Sequence, residues 1–264
     1  MSEQMIFNPG RFVWHEIYTS NVEQTKAFYG ELLNWGYETV PMQGMAEGYT
    51  MAKIGDRTIA GIMSLDAVKQ MSPDMMKSMP PHWTGYVSVN DVDVSAATAK
   101  ASGGYVPFGP MDIPNVGRFA PVMDPQGTGC FVFKALKGDG PEPTMPTLGD
   151  FCWDSLQTTD MKGAADFYGK VMGWTGTTMA NMPGTTIFVV GDKQRASMHM
   201  APDGMPANWM TYMLVENLER ATEKATRLGA KVMMPNVPVP GMGKFTVISD
   251  SVGAVVALFE GQPA

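Results

Sequence analysis

Apolar and polar positions alternate over residues 12–19 (FVWHEIYT), which predicts a strand, and the period then lengthens to that of a helix. From Val22 the apolar residues Val22, Phe28, Tyr29, Leu32 and Leu33 share one face; Asn21 precedes them as a cap, with Gln24 at capping-box spacing. The helix is expected to stop before Gly36, and three strand-like runs follow at 36–41, 49–54 and 57–64. The same order returns at once: a strand at 82–89, a helix capped by Asp91 and ended by Gly103, and strand runs at 105–110, 118–123 and 130–136. Each unit is therefore strand, helix, three strands.

The second half repeats the first. RFVWHEIYTSNVEQTKAFYGELLNWG, from Arg11, is echoed by FCWDSLQTTDMKGAADFYGKVMGWTG, from Phe151, with 153−14, 168−29 and 174−35 all equal to 139. Further on the offset is 126: 212−86, 245−119, 250−124 and 259−133 agree, and Asn217 takes the place of the cap. The difference, 139−126, places 13 extra residues in the first half, within 66–82. Met71, Met75, Met76 and Met79 in that stretch are candidates for a lid over a cavity, or for a surface loop. GDGPEPTMPTLG, residues 138–149, is too rich in Pro and Gly for helix or strand and reads as a linker. The expected organisation is four βαβββ modules in two domains, residues 10–137 and 150–262.

Composition narrows the partners. A net charge of −7 with scattered Lys and Arg gives no basic face for nucleic acid or an anionic membrane, and no run of 18 apolar residues is present. The first residues lack the basic start and apolar core of an export signal, so a cytoplasmic protein is expected. Cys130 and Cys152 read as small buried hydrophobes, and the 25 methionines as core and as lining for an adaptable cavity. No Gly-rich loop joins a strand to a helix as in nucleotide sites, and no nucleophile elbow is recognisable. A monomer and a homodimer both remain open.

KAFYGELLNW and its echo ADFYGKVMGW, with the closing strands DPQGTGCFVFK and DSVGAVVALFE, resemble the vicinal oxygen chelate superfamily of glyoxalases, bleomycin resistance proteins and extradiol dioxygenases. The resemblance covers about residues 10–260 and is nearest to tandem two-domain glyoxalase-like proteins. It implies an α+β fold in which each domain pairs two βαβββ modules into a curled mixed sheet around a cavity. It also implies a divalent metal held from the first, fifth and last strands. Those positions fall on Trp14, Thr84 and Phe131 in the first half and on Trp153, Met210 and Ala257 in the second. None is a competent ligand, because such metals need imidazole, carboxylate or amide oxygen. The expectation is no metal and no other cofactor. A shifted register through His15, His82, His199 and Glu260 is the route that would restore one.

If Trp14 faces the cavity, so do Glu16 and Tyr18, joined by Thr84, Tyr86, Ser88, Phe131 and Phe133, while His15 faces the helices. Trp153, Ser155, Gln157, Met210, Tyr212, Leu214, Ala257 and Phe259 are the second-half counterparts. Glu16 is the candidate for chemistry, as a desolvated base with Tyr86 or Tyr18 polarising a substrate, or as a group that holds a cation. The bland reading is that it hydrogen-bonds a tyrosine or pairs with Arg118. Arg118 is also a candidate for an anionic group at the cavity mouth. Trp14 and Trp153 suit stacking on an aromatic ligand, or filling the cavity. The leading expectation is a small-molecule-binding protein for an apolar or aromatic compound, working through its first half. A metal-independent lyase or isomerase using Glu16, and a metal-dependent glyoxalase or dioxygenase, are the alternatives.

Overall fold

The computed structural model describes residues 5–42, 45–71, 79–179 and 182–262. The first half holds β1 (Phe12–Thr19), α1 (Val22–Leu33), β2 (Gly36–Met42), β3 (Met45–Ile54), β4 (Arg57–Ser64), α2 (Leu65–Met71), β5 (His82–Ser88), α3 (Val92–Ala101), β6 (Met111–Ile113), β7 (Gly117–Met123) and β8 (Gly129–Ala135). The second holds β9 (Phe151–Thr158), α4 (Met161–Met172), β10 (Thr175–Thr178), β11 (Thr186–Val190), β12 (Lys193–Met200), β13 (Asn208–Leu214), α5 (Leu218–Arg227), β14 (Lys231–Val239), β15 (Gly243–Ser249) and β16 (Val255–Gly261).

The strands form two eight-stranded sheets, ordered β2-β3-β4-β1-β5-β8-β7-β6 and β10-β11-β12-β9-β13-β16-β15-β14. Both are mixed, since β1–β4, β5–β8, β9–β12 and β13–β16 run parallel. The fold is α+β, as the resemblance implies. Helix starts are set locally: Asn21, Asp91 and Asn217 each accept the backbone N–H three residues on.

Two expectations need correction. Residues 105–110 are not a strand: Tyr105 alone bridges to Met123, and β6 begins at Met111. Pro107 and Pro110 have no N–H to give a ladder. The extra residues of the first half are not all loop, because 65–71 form α2. The lid positions Met75 and Met76 fall outside the described residues.

The chain divides into two compact units, residues 1–13, 85–144 and 154–209, and residues 14–84, 145–153 and 210–264. In the first unit α3 and α4 share a core: Val92, Ala96 and Ala99 meet Phe167, Tyr168 and Val171 above Val122, Val132, Leu156 and Met198. Ser95 Oγ donates to the Val171 carbonyl at 3.0 Å. In the second unit Phe28 and Tyr29 of α1 share a core with Leu218 and Ala225 of α5 over Ile17, Ile62, Met213 and Leu258. Each unit therefore draws one module from each half of the sequence.

A buried chain of hydrogen bonds recurs in both units. Trp83 Nε1 donates to the Tyr29 hydroxyl at 2.8 Å, which donates to Asp250 Oδ2 at 2.8 Å. Trp209, Tyr168 and Asp124 repeat it at 3.0 and 3.3 Å. Burial is the main cause that raises the carboxyl pKa of both Asp124 and Asp250. A raised folded value means that folding favours the protonated acid. That stability is complete below the ordinary carboxylate pKa near 3.9 and is lost as pH rises through the raised value. The stability of the natural chain relative to Asp250→Asn, measured by urea unfolding at steps from pH 4 to 8, is expected to fall with rising pH. A difference that grew with pH would mean that the ionised carboxylate is the favoured form.

Among the described residues no helix is long and apolar enough to cross a membrane.

Candidate functional site

Glu16 lies on β1 opposite Gly61 of β4, and Gly61 lies opposite Met51 of β3. Ile17, Ala52, Ala60 and Ile62 turn to the helices, so alternation sends Glu16, Gly61, Met51 and Tyr49 to the other face. There a short chain forms. Trp14 Nε1 donates to the Tyr49 hydroxyl at 3.2 Å, and the Tyr49 hydroxyl donates to Glu16 Oε1 at 2.7 Å. Burial, with the Glu16 carboxylate adding to it, holds the Tyr49 phenol well above its ordinary range, so Tyr49 stays the donor. Glu16 is only 3% exposed. A Cβ at Gly61 would overlap the Tyr49 hydroxyl and stand 2.8 Å from Glu16 Oε1. The glycine is what lets the phenol reach the carboxylate.

Tyr18, next on the same face, stacks on His82 with centroids 5.1 Å apart, and His82 Nδ1 lies 2.9 Å from the Pro80 carbonyl. Thr84 follows half-buried on β5. His15 turns the other way, as expected, and stacks on Phe151 at 4.1 Å beside the helix core.

The remaining first-half candidates belong to the other compact unit and are described there. Tyr86 stacks on Phe131 at 4.5 Å and meets Phe133 edge-on at 6.1 Å, and Phe119 and Phe108 extend the cluster. Ser88 Oγ donates to Asp139 Oδ2 at 2.6 Å, which ties the strand to the linker. Arg118 is not brought to these rings. It neighbours Phe119 on β7 and so points to the opposite face, where it grips Asp93 with two bonds of 2.7 and 2.8 Å and Asp112 at 2.9 Å.

In the second half Trp153 and Tyr212 meet in one apolar cluster with Met210, Phe245, Ala257 and Phe259. The metal implied by the resemblance does not fit these residues. Trp14 uses its N–H as a donor and has no lone pair to offer, Phe131 is stacked, and Met210 and Ala257 are packed in apolar surroundings. His199 pairs with the Thr185 hydroxyl at 3.1 Å. Among the described residues no group of three His, Cys, Asp or Glu is placed to hold a metal ion.

Sequence reasoning did not find Tyr49 as the partner of Glu16. The available signal was Gly61, a lone glycine inside the apolar strand TIAGIM, which marks a close approach.

This fold of paired βαβββ modules and its strand order define a class. Residues 153–258 match the family model of the Glyoxalase/Bleomycin resistance protein/Dioxygenase superfamily. Among individual proteins, the chain is 29% identical over its full length to CFP32 of Mycobacterium bovis, which bears the name glyoxylase, covering 99% of it. It is 28% identical to the anthracycline biosynthesis protein DnrV of Streptomyces peucetius, over 98% of this chain and 97% of that one. The Mn(II)-bound glyoxalase of Novosphingobium aromaticivorans superposes with a TM-score of 0.63 at 14% identity, covering 96% of this chain and 82% of its own. The 2,3-dioxygenase LapB of Pseudomonas sp. KL28 does so at 0.61 and 13%, covering 99% and 94%. At these identities the structural likeness is one of fold.

Proposed function

We propose that the chain is a small-molecule-binding protein of the glyoxalase/bleomycin-resistance type. It takes an apolar or aromatic compound in its first half, through a site that needs no metal. The observation that carries the reading is the buried Glu16 carboxylate, set in place by Tyr49 and, through it, by Trp14. A carboxylate that is oriented before the ligand arrives binds a hydroxyl or amine of that ligand with little further ordering. Tyr18 and Trp14, on the same face, supply aromatic surface. Two relatives are named for anthracycline biosynthesis, which lends support to a small-molecule ligand.

The test is titration of tryptophan fluorescence with 1-naphthol, an aromatic with one hydroxyl donor. Saturable quenching is expected at one site per chain. Glu16→Gln keeps an acceptor for Tyr49 but removes the charge, and is expected to weaken binding about ten- to a hundredfold, the worth of a hydrogen bond to a charged group. Equal affinity in the variant would overturn the role of Glu16. Metal-free working is checked on protein purified without chelator: EDTA, nickel, iron, manganese and zinc are expected to leave the melting temperature unchanged. One tightly held metal per chain, with melting lowered by EDTA, would overturn that part.

A further inference from the structure

The second sheet carries a patch that the first-half site does not explain. On β12 and β9, which run parallel, Ser197 lies opposite Ser155 and His199 opposite Gln157. Leu156, Ala196 and Met198 are core residues, so alternation puts Ser155, Gln157, Ser197 and His199 together on the face away from the core. Neighbouring strands are about 4.8 Å apart and alternate residues about 6.6 Å, so the four form one compact polar square. All four lie in the same compact unit.

Ser155 is 1% exposed and its hydroxyl has no hydrogen-bond partner. Such a group costs about 1–3 kcal/mol and is uncommon in folded proteins unless something else satisfies it. The Thr185 hydroxyl, 3.1 Å from His199 Nδ1, holds that ring through Nδ1 and not through Nε2. Burial lowers the His199 pKa, which keeps the imidazole neutral.

The offset of 139 places Ser155 and Gln157 where the first half has Glu16 and Tyr18, and the strand register places Ser197 and His199 where it has Gly61 and Met63. The core positions between them stay apolar in both halves: Ile17 and Leu156, Ala60 and Ala196, Ile62 and Met198. On the outward face, carboxylate, phenol, glycine and thioether give way to two hydroxyls, an amide and an imidazole. A face kept merely to fill space has no use for four hydrogen-bonding side chains.

We propose that Ser155, Gln157, Ser197 and His199 form a second ligand site, separate from the Glu16 site, for a neutral polyhydroxylated compound such as a polyol or sugar. The set holds no formal charge to balance an ion, and the nearest charged residue along β12, Arg195, is paired with Glu142 at 2.6 Å. An apolar ligand leaves the Ser155 hydroxyl unsatisfied, whereas hydroxyls that both donate and accept match serine, amide and neutral imidazole in turn.

The chain has three histidines, so the imidazole Cε1–H signals of the full-length protein form a simple NMR spectrum, with His199 assigned through His199→Gln. Titration with xylitol and with glucose is expected to shift the His199 signal saturably and to leave His15 and His82 in place. Ser155→Ala with Gln157→Leu is expected to weaken that shift by about tenfold or more while the chain keeps its cooperative melting. If that pair does not fold, Ser155→Ala alone gives the same comparison. No saturable change at His199 with either probe, equal drift of all three histidines, or unchanged affinity in the variants would overturn the proposal. 1-Naphthol, in contrast, is expected to move His82, which stacks on Tyr18, and not His199. Failure of this site and failure of the Glu16 site are thereby read separately.

Discussion

Expressed separately, residues 1–144 and 145–264 are expected not to fold as monomers, and to recover one cooperative melting transition only when combined. The cut falls in the linker, yet each core draws on both sides of it. The core under α3 loses Leu156, Phe167, Tyr168, Trp174, Phe188 and Met198 when the second half is absent. At roughly 2 kcal/mol for each large side chain, that is about 12 kcal/mol, as much as the whole stability of an ordinary domain. The core under α1 loses Met213, Leu218, Ile248 and Leu258 in the same way.

Polar ties are cut as well. Trp35 Nε1 donates to the Gly149 carbonyl at 3.0 Å and Trp174 Nε1 to the Gly10 carbonyl at 2.8 Å. Each tryptophan thus holds the residue that opens the opposite half of the sequence. Gln126 Oε1 accepts the backbone N–H of Thr159 at 2.7 Å and of Asp160 at 3.0 Å at the start of α4. Sedimentation, thermal melting and one-dimensional NMR of each fragment, alone and combined, provide the check. A fragment that is monomeric and melts cooperatively by itself would show that the modules of one half suffice for a core.

Gly61→Val is expected to have the largest effect on ligand binding of any single change outside the contacting side chains. The new side chain occupies the place of the Tyr49 hydroxyl, so the ring must leave, and Glu16 loses its donor and Trp14 its acceptor. Loss of a hydrogen bond to a charged group corresponds to a fall in 1-naphthol affinity of ten- to a hundredfold. Overpacking adds a stability loss of about 1–3 kcal/mol, because only the ends of two side chains need move. Gly36→Ala is the matched control, for a Cβ there meets nothing within 4 Å. Fluorescence titration and urea unfolding of both variants decide the matter: unchanged affinity in Gly61→Val would mean that the Tyr49–Glu16 contact plays no part in binding. The second half shows the alternative solution, with Ser197, Ser155 and Thr185 in the places of Gly61, Glu16 and Tyr49. A side chain is tolerated opposite the first strand there because the large phenol is gone.

Much of this molecule is written in short-range pattern. The strand–helix–three-strand order, the duplication, and the caps Asn21, Asp91 and Asn217 were legible because alternation, helical period and capping act within a few residues. The face that carries Trp14, Glu16 and Tyr18 followed from alternation along one strand. The partners of those residues did not. Tyr49 meets Glu16 through the register of β3 on β4 and of β4 on β1, and Arg118 finds Asp93 across 25 positions of chain. Pairings of that kind depend on how strands align in three dimensions, which no local period records.

Most telling is the choice of partners among the four modules. The repeat shows that each helix has an apolar face to bury, and the four faces are alike in chemistry. Nothing in their spacing says that α1 shares its core with α5 and α3 with α4. That choice belongs to tertiary packing, because burial rewards any well-fitted apolar face, and fit is a property of assembled surfaces.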